Sequence, residues 1–123
     1  MAKCENEPAP ATVLANALLN AGDELGLSHS ELASVLGLHR TAISRMKHRQ
    51  HINPDSKQGE LALMLIRIYH ALYHLTNNNL RLMHHFMRTP NSLTGQTPAD
   101  QIQNINGLIT VMFCVESMLF PQA

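Results

Sequence analysis

The chain has 123 residues, 45% of them hydrophobic, and a formal net charge of zero from nine basic and nine acidic side chains. That length suits one compact domain, or a small domain with an appended subdomain, and the apolar content excludes global disorder. A zero charge sum does not exclude a nucleic-acid partner, because local distribution decides that.

Residues 1–10, "MAKCENEPAP", are polar and lack the apolar core of a signal peptide, so a flexible tail is expected there. A first helix is predicted from Ala11 to Leu25, with Val13, Leu14, Ala17, Leu18 and Leu25 near one face and Gly26 as its stop. Ser28-x-x-Glu31 is a capping box that opens a second helix, His29 to Leu36, which Gly37 ends. A third helix is predicted from Arg40 to Gln50, a linker over residues 51–59, and a fourth helix from Gln58 to Leu75. "TNNN", residues 76–79, reads as a break before a fifth helix, Leu80 to Met87. Pro90, Asn91 and Gly95 make a turn, and Thr97-Pro98-Ala99-Asp100 starts a short helix to Ile105. Asn106-Gly107 is expected to break that helix before a last one, Leu108 to Phe120. No strand or internal repeat is evident. The expected fold class is all-α, an N-terminal helix-turn-helix bundle with a small C-terminal helical subdomain, divided into residues 1–10, 11–75 and 76–123.

The longest apolar run, residues 61–75, is too short to span a bilayer and contains Arg67, His70 and His74. Cys4 and Cys114 form no disulfide framework, which fits a reducing compartment, so a soluble cytoplasmic protein without membrane contact is expected.

Residues 38–51 carry Arg40, Arg45, Lys47 and Arg49 and no acid. Upstream, Ala33 is small where two helices would cross, and Gly37 makes the turn between them. Leu32, Leu36, Leu38, Ile43 and Met46 recur where such a pair packs on a third helix. The second helix of the pair would then turn Thr41, Ser44, Arg45 and His48 outward, with Arg40 at its start and Lys47 and Arg49 flanking for phosphates. An Arg can grip guanine bidentately; Arg40 and Arg45 are both candidates. These seven residues are the expected contacts to double-stranded DNA. The stretch resembles the Xre-type, phage-repressor-like helix-turn-helix family through Glu31, Leu32, Ala33, Leu36, Gly37, Leu38, Ile43, Ser44 and Arg45, with His39 where a Ser or Thr cap is usual.

The later segment is also patterned. Phe86, Met87, Pro90, Asn91, Leu93, Gly95, Thr97, Pro98, Ile102, Gly107, Val111 and Val115 resemble the C-terminal toxin-binding domain of the Xre/MbcA/ParS antitoxin family, with Phe86 in place of a common Trp. That resemblance implies an antitoxin that binds a RES-type, NAD-consuming toxin as well as operator DNA. Ile109, Phe113, Glu116 and Phe120 on the last helix are the expected partner contacts. The fourth helix is apolar almost all round, which implies a homodimer or, alternatively, a central core helix wrapped by the others. Two other functions remain open on the residues alone. One is a stand-alone regulator whose C-terminal unit oligomerises; the other is an interaction module that does not bind DNA.

Nothing points to catalysis or a cofactor. The acids are scattered, Cys114 lies in an apolar helix without an activating base, and no phosphate-binding glycine loop occurs. His70 and His74 are spaced to share a helical face, but no third ligand completes a metal set nearby.

Overall fold

In a computed structural model, residues 9–120 are described, and they contain helices and no strand. In chain order the helices are α1 (Pro10–Glu24), α2 (His29–Val35), α3 (Arg40–Arg49), α4 (Lys57–Leu75), α5 (Leu80–Arg88), α6 (Pro98–Gln101) and α7 (Ile105–Leu119). Of the expected tail, only Ala9 and Pro10 are among the described residues, and Pro10 is already the first residue of α1.

Local chemistry sets most of the boundaries. The α1 and α2 C-termini end in the same way: Gly26 (φ +76°) and Gly37 (φ +69°) take the left-handed conformation. In that geometry the amides of Leu27 and Leu38 reach back to the carbonyls of Gly22 and Ala33, both at 2.9 Å. Both halves of the α2 capping box form: Glu31 N–H donates to Ser28 Oγ (3.1 Å), and Ser28 N–H donates to Glu31 Oε1 (2.8 Å). The "TNNN" break closes α4 with Asn77 and Asn78 both left-handed, a conformation Asn tolerates better than most residues. Asn79 then caps α5 by accepting from Leu82 N–H at 3.2 Å.

The α1 stripe differs from the predicted one. Leu14, Ala15, Leu18, Ala21 and Gly22 are buried, whereas Val13 is exposed. The shift arises because α1 is clamped between α3 and α4 and must offer small residues where α2 also approaches. A Cβ on Gly22 would lie 2.9 Å from Leu32 Cδ2 of α2.

Helix α4 is the axis of the molecule. It packs most extensively on α7 and then on α1. Ala62, Leu65, Ile68, Ala71 and Leu72 disappear between them. Its apolar circumference is therefore mostly consumed inside the chain, as the central-helix alternative expects, because α7 folds back along the face that α1 leaves open. Leu63 and Tyr73 remain exposed. Buried residues from Leu14 to Val115 form one continuous hydrophobic cluster.

The junction between α6 and α7 corrects the predicted break. The chain leaves α6 at Ile102 and re-enters a helix at Ile105, so Asn106 and Gly107 lie inside the first turn of α7. Asn104 is the N-cap, accepting from Gly107 N–H at 2.8 Å. Thr97 is the N-cap of α6 by position, although its side chain makes no capping hydrogen bond.

Among the described residues two long-range ion pairs tie the helices together. Arg67 of α4 forks onto Glu116 of α7, with Nε–Oε2 2.9 Å and Nη2–Oε1 2.5 Å. Arg88 at the end of α5 forks onto Glu31 of α2, with Nη1–Oε2 2.6 Å and Nη2–Oε1 2.7 Å. The Arg88 hydrogen bond holds the Glu31 carboxyl below the usual carboxylate range, against the opposing effect of partial burial. A carboxyl depressed on folding stabilises the native state above its unfolded pKa and loses that contribution as pH falls through the folded value. Thermal melts across the acid range are therefore expected to show a stability loss that Glu31→Gln reduces. An identical acid limb in both chains refutes a folded-state role for this carboxylate.

Candidate nucleic-acid interface

Helix α3 stands on the surface with its apolar side down. Ile43 and Met46 are its buried residues, while Arg40, Thr41, Ser44, Arg45, Lys47, His48 and Arg49 are all exposed. This division follows from spacing: residues three and four apart share a face, so Ile43 and Met46 anchor the helix against α1 and α2 and the intervening side chains turn out. Thr41, Ser44, Arg45 and His48 occupy the outer face, opposite those two anchors. Lys47 lies towards a cavity shared with Asn20 and Asp23 of α1 and His29 of α2. Arg45 and Arg49 border a cavity of about 350 Å³ on the other flank, with Leu38, Ala42 and His51. The flanking cations thus sit on both sides of the outer face, where the two walls of a groove would present phosphates.

His39 occupies the N-cap of α3 and makes no side-chain cap, and Ala42 N–H turns back to donate to His39 O at 2.9 Å. Lys47, His48 and Arg49 fall in the last turn, where positive charge complements the negative end of the helix dipole. The helix ends at Gln50, which is left-handed (φ 52°) and donates to Met46 O at 2.7 Å. Buried Ile52 then ties the chain back to α1 through Ala11 O at 3.2 Å. The C-terminal end of α3 is consequently held by an element outside it.

Residues 5–67 match the antitoxin Xre-like helix-turn-helix domain, just over half of the chain. The chain belongs to the Xre-like helix-turn-helix antitoxin family. Membership makes it an antitoxin-like, DNA-binding regulator. The Xre-like match spans α1 to α3 and the first half of α4. No curated protein matches the chain.

The expected partner residues lie beyond the matched Xre-like region, on α7. Phe113 and Phe120 are exposed, at 60% and 69%, Ile105 joins them at 58%, and Ile109 between them is half-buried. Glu116 is already engaged by Arg67, a partner with no local sign along the chain, since 49 positions separate the two. Beside that pair, Ile66, His70, His74, Leu119 and Phe120 line a cavity of about 290 Å³ between α4 and α7. The apolar stripe is therefore rimmed by a neutralised ion pair and by imidazoles.

The polar stretch from Thr89 to Thr97 is closed on itself. Asn91 Oδ1 accepts from Leu93 N–H (2.7 Å), Gly95 N–H donates to Asn91 O (2.8 Å), and buried Thr94 donates to Gln96 O (3.0 Å). Gln101 Nε2 of α6 donates to Thr94 O (2.7 Å). The stretch is thereby fastened to α6.

The histidine pair on α4 stacks edge-to-face, with ring centroids 5.6 Å apart. Among the described residues no group of three or more potential ligands comes together to hold a metal ion. Cys114 is half-buried, and desolvation pushes its thiol pKa up, away from reactivity. Cys4 lies outside the described residues. No helix among them is long and apolar enough to cross a membrane.

Proposed function

We propose that the chain is a cytoplasmic transcriptional regulator and antitoxin of the MbcA/ParS type, acting by binding rather than catalysis and without a cofactor. Helix α3 reads operator DNA, and the segment 76–123 binds a RES-type, NAD-consuming toxin through α7. One observation carries the DNA half: an acid-free helix with its seven polar and basic side chains exposed, seated in a helix-turn-helix that belongs to an antitoxin family. The partner half is supported by the stripe of Ile105, Phe113 and Phe120, which the fold leaves uncovered on α7. Exposed aromatics on a rigid helix are typical anchors of protein interfaces. A homodimer would bring two copies of α3 to half-sites about one helical turn apart, ~34 Å.

Co-expression tests the partner half. A RES-type protein encoded beside this chain is expected to co-purify with it and to lose its toxicity. Phe113→Asp is expected to abolish both effects while leaving the affinity for DNA unchanged. A Phe113→Asp chain that still neutralises the toxin removes α7 from the interface. One that instead dissociates into monomers assigns the stripe to self-association, the stand-alone regulator reading.

A further inference from the structure

Two side chains of α5 close over the turn between α1 and α2. His84 Nε2 lies 3.0 Å from Glu24 O, and its ring covers Gly26 so closely that a Cβ there would stand 3.0 Å from His84 Cδ2. One turn later, Arg88 Nη2 donates both to Gly26 O (2.6 Å) and to Glu31 Oε1, while Nη1 donates to Glu31 Oε2. The same Glu31 carboxylate receives Ser28 N–H, the first amide of the α2 capping box. The start of α2 is therefore gripped by a guanidinium from a helix that lies outside the family match, at residues 80–88.

A seven-residue helix has little stability of its own and takes its orientation from its contacts. Among the described residues helix α2 has Leu32 seated against Gly22 of α1, direct packing on α3, a smaller contact with α4, and this clasp. Only three residues, Gly37 to His39, separate the α2 cap from α3, so a change in the tilt of α2 passes into the helix that faces DNA. Arg67–Glu116, a second bidentate pair among the described residues, joins α4 to α7 and touches neither α2 nor α3 itself.

We infer that Arg88, with His84 beside it, is a positioning element of the DNA reader: the clasp from α5 sets the angle of α2 and through it the aim of α3. The inference rests on DNA reading by α3. It makes the C-terminal half of the chain part of the reading apparatus rather than an appendage to it.

The test uses the full chain and two duplexes, one enriched from a random pool by the wild-type protein and one of scrambled sequence. Glu31→Gln keeps an acceptor for the capping box but removes the charged partner of Arg88. Arg88→Gln and Glu31→Gln are each expected to lose roughly tenfold in affinity for the enriched duplex and to keep their affinity for the scrambled one. The double variant is expected to lose no more than Arg88→Gln alone, because Glu31→Gln breaks a contact that Arg88→Gln has already removed. Arg88→Lys, which restores the charge but not the fork, is expected to recover only part of the loss. Amide NMR signals of α3, Thr41 to His48, are expected to shift in Arg88→Gln although the change lies on another helix. Equal losses on both duplexes, additive losses in the double variant, or unmoved α3 amides would overturn the inference. If Arg88→Gln does not fold, Glu31→Gln and Arg88→Lys make the same comparison. Failure of the wild type to enrich any duplex would instead reject DNA reading, and the α3 amide shifts would still decide whether the clasp positions that helix.

Discussion

Arg45→Ala is expected to weaken binding to operator DNA by roughly tenfold to a hundredfold, the worth of one bidentate contact to a guanine edge. Arg81→Ala removes the same charge and is expected to change the affinity by less than about twofold, because a solvated charge away from the groove gains little from distant phosphates. The two residues are both exposed arginines. They differ in place: Arg45 is on the outer face of α3, opposite buried Ile43 and Met46, and Arg81 is in the first turn of α5. Titration of a labelled operator duplex at one fixed salt concentration measures both. Equal losses would take α3 out of the groove, and a parallel Arg40→Ala titration ranks the other candidate for base contact. Raising the salt should weaken all of these complexes steeply, since each phosphate contact releases counterions.

The largest effect on stability is expected from Gly107→Ala, about 3 kcal/mol or more, read by chemical denaturation of the otherwise unchanged chain. The added Cβ would fall 1.8 Å from the carbonyl oxygen of Gln101 and 2.5 Å from its carbon. Those are backbone atoms of α6, so no side-chain rotation relieves the overlap, and α7 must move off α6. Leu108, Val111 and Val115, all fully buried on α7, would be disturbed with it. Gly37→Ala provides the contrast. Nothing lies within 4 Å of the position its Cβ would take, and its cost is the left-handed backbone alone, on the order of 1 kcal/mol. A Gly107→Ala chain as stable as the parent would mean that α6 and α7 do not approach as closely as the structure has them.

These two glycines show where reading along the chain succeeds. Gly37 follows a run of helical periodicity and lies next to a turn, so its role is a local one and visible in the neighbouring residues. Gly107 follows Asn106, and the pair resembles a turn on local grounds. Its actual role is to let one backbone cross another, and Gln101, the residue it approaches, gives no local sign of the contact. Glu116 repeats the lesson. Its position on α7 made it a candidate partner contact, while Arg67, on a different helix, holds it within the chain.

What the sequence by itself determined is the order of the helices, most of their ends, and the outward face of α3. These depend on caps, positive-φ glycines and three-to-four-residue spacing, all of which act within about one turn of helix. The tertiary structure decided which faces are left over. It laid α7 along α4 and buried Leu65, Ile68 and Leu72 of a helix that is apolar almost all round. It left Phe113 and Phe120 uncovered, and it brought Arg88 across to Glu31. Hydrogen bonds and ion pairs join residues 57 to 62 positions apart in the chain, and their geometry exists only once the helices have taken their places around α4.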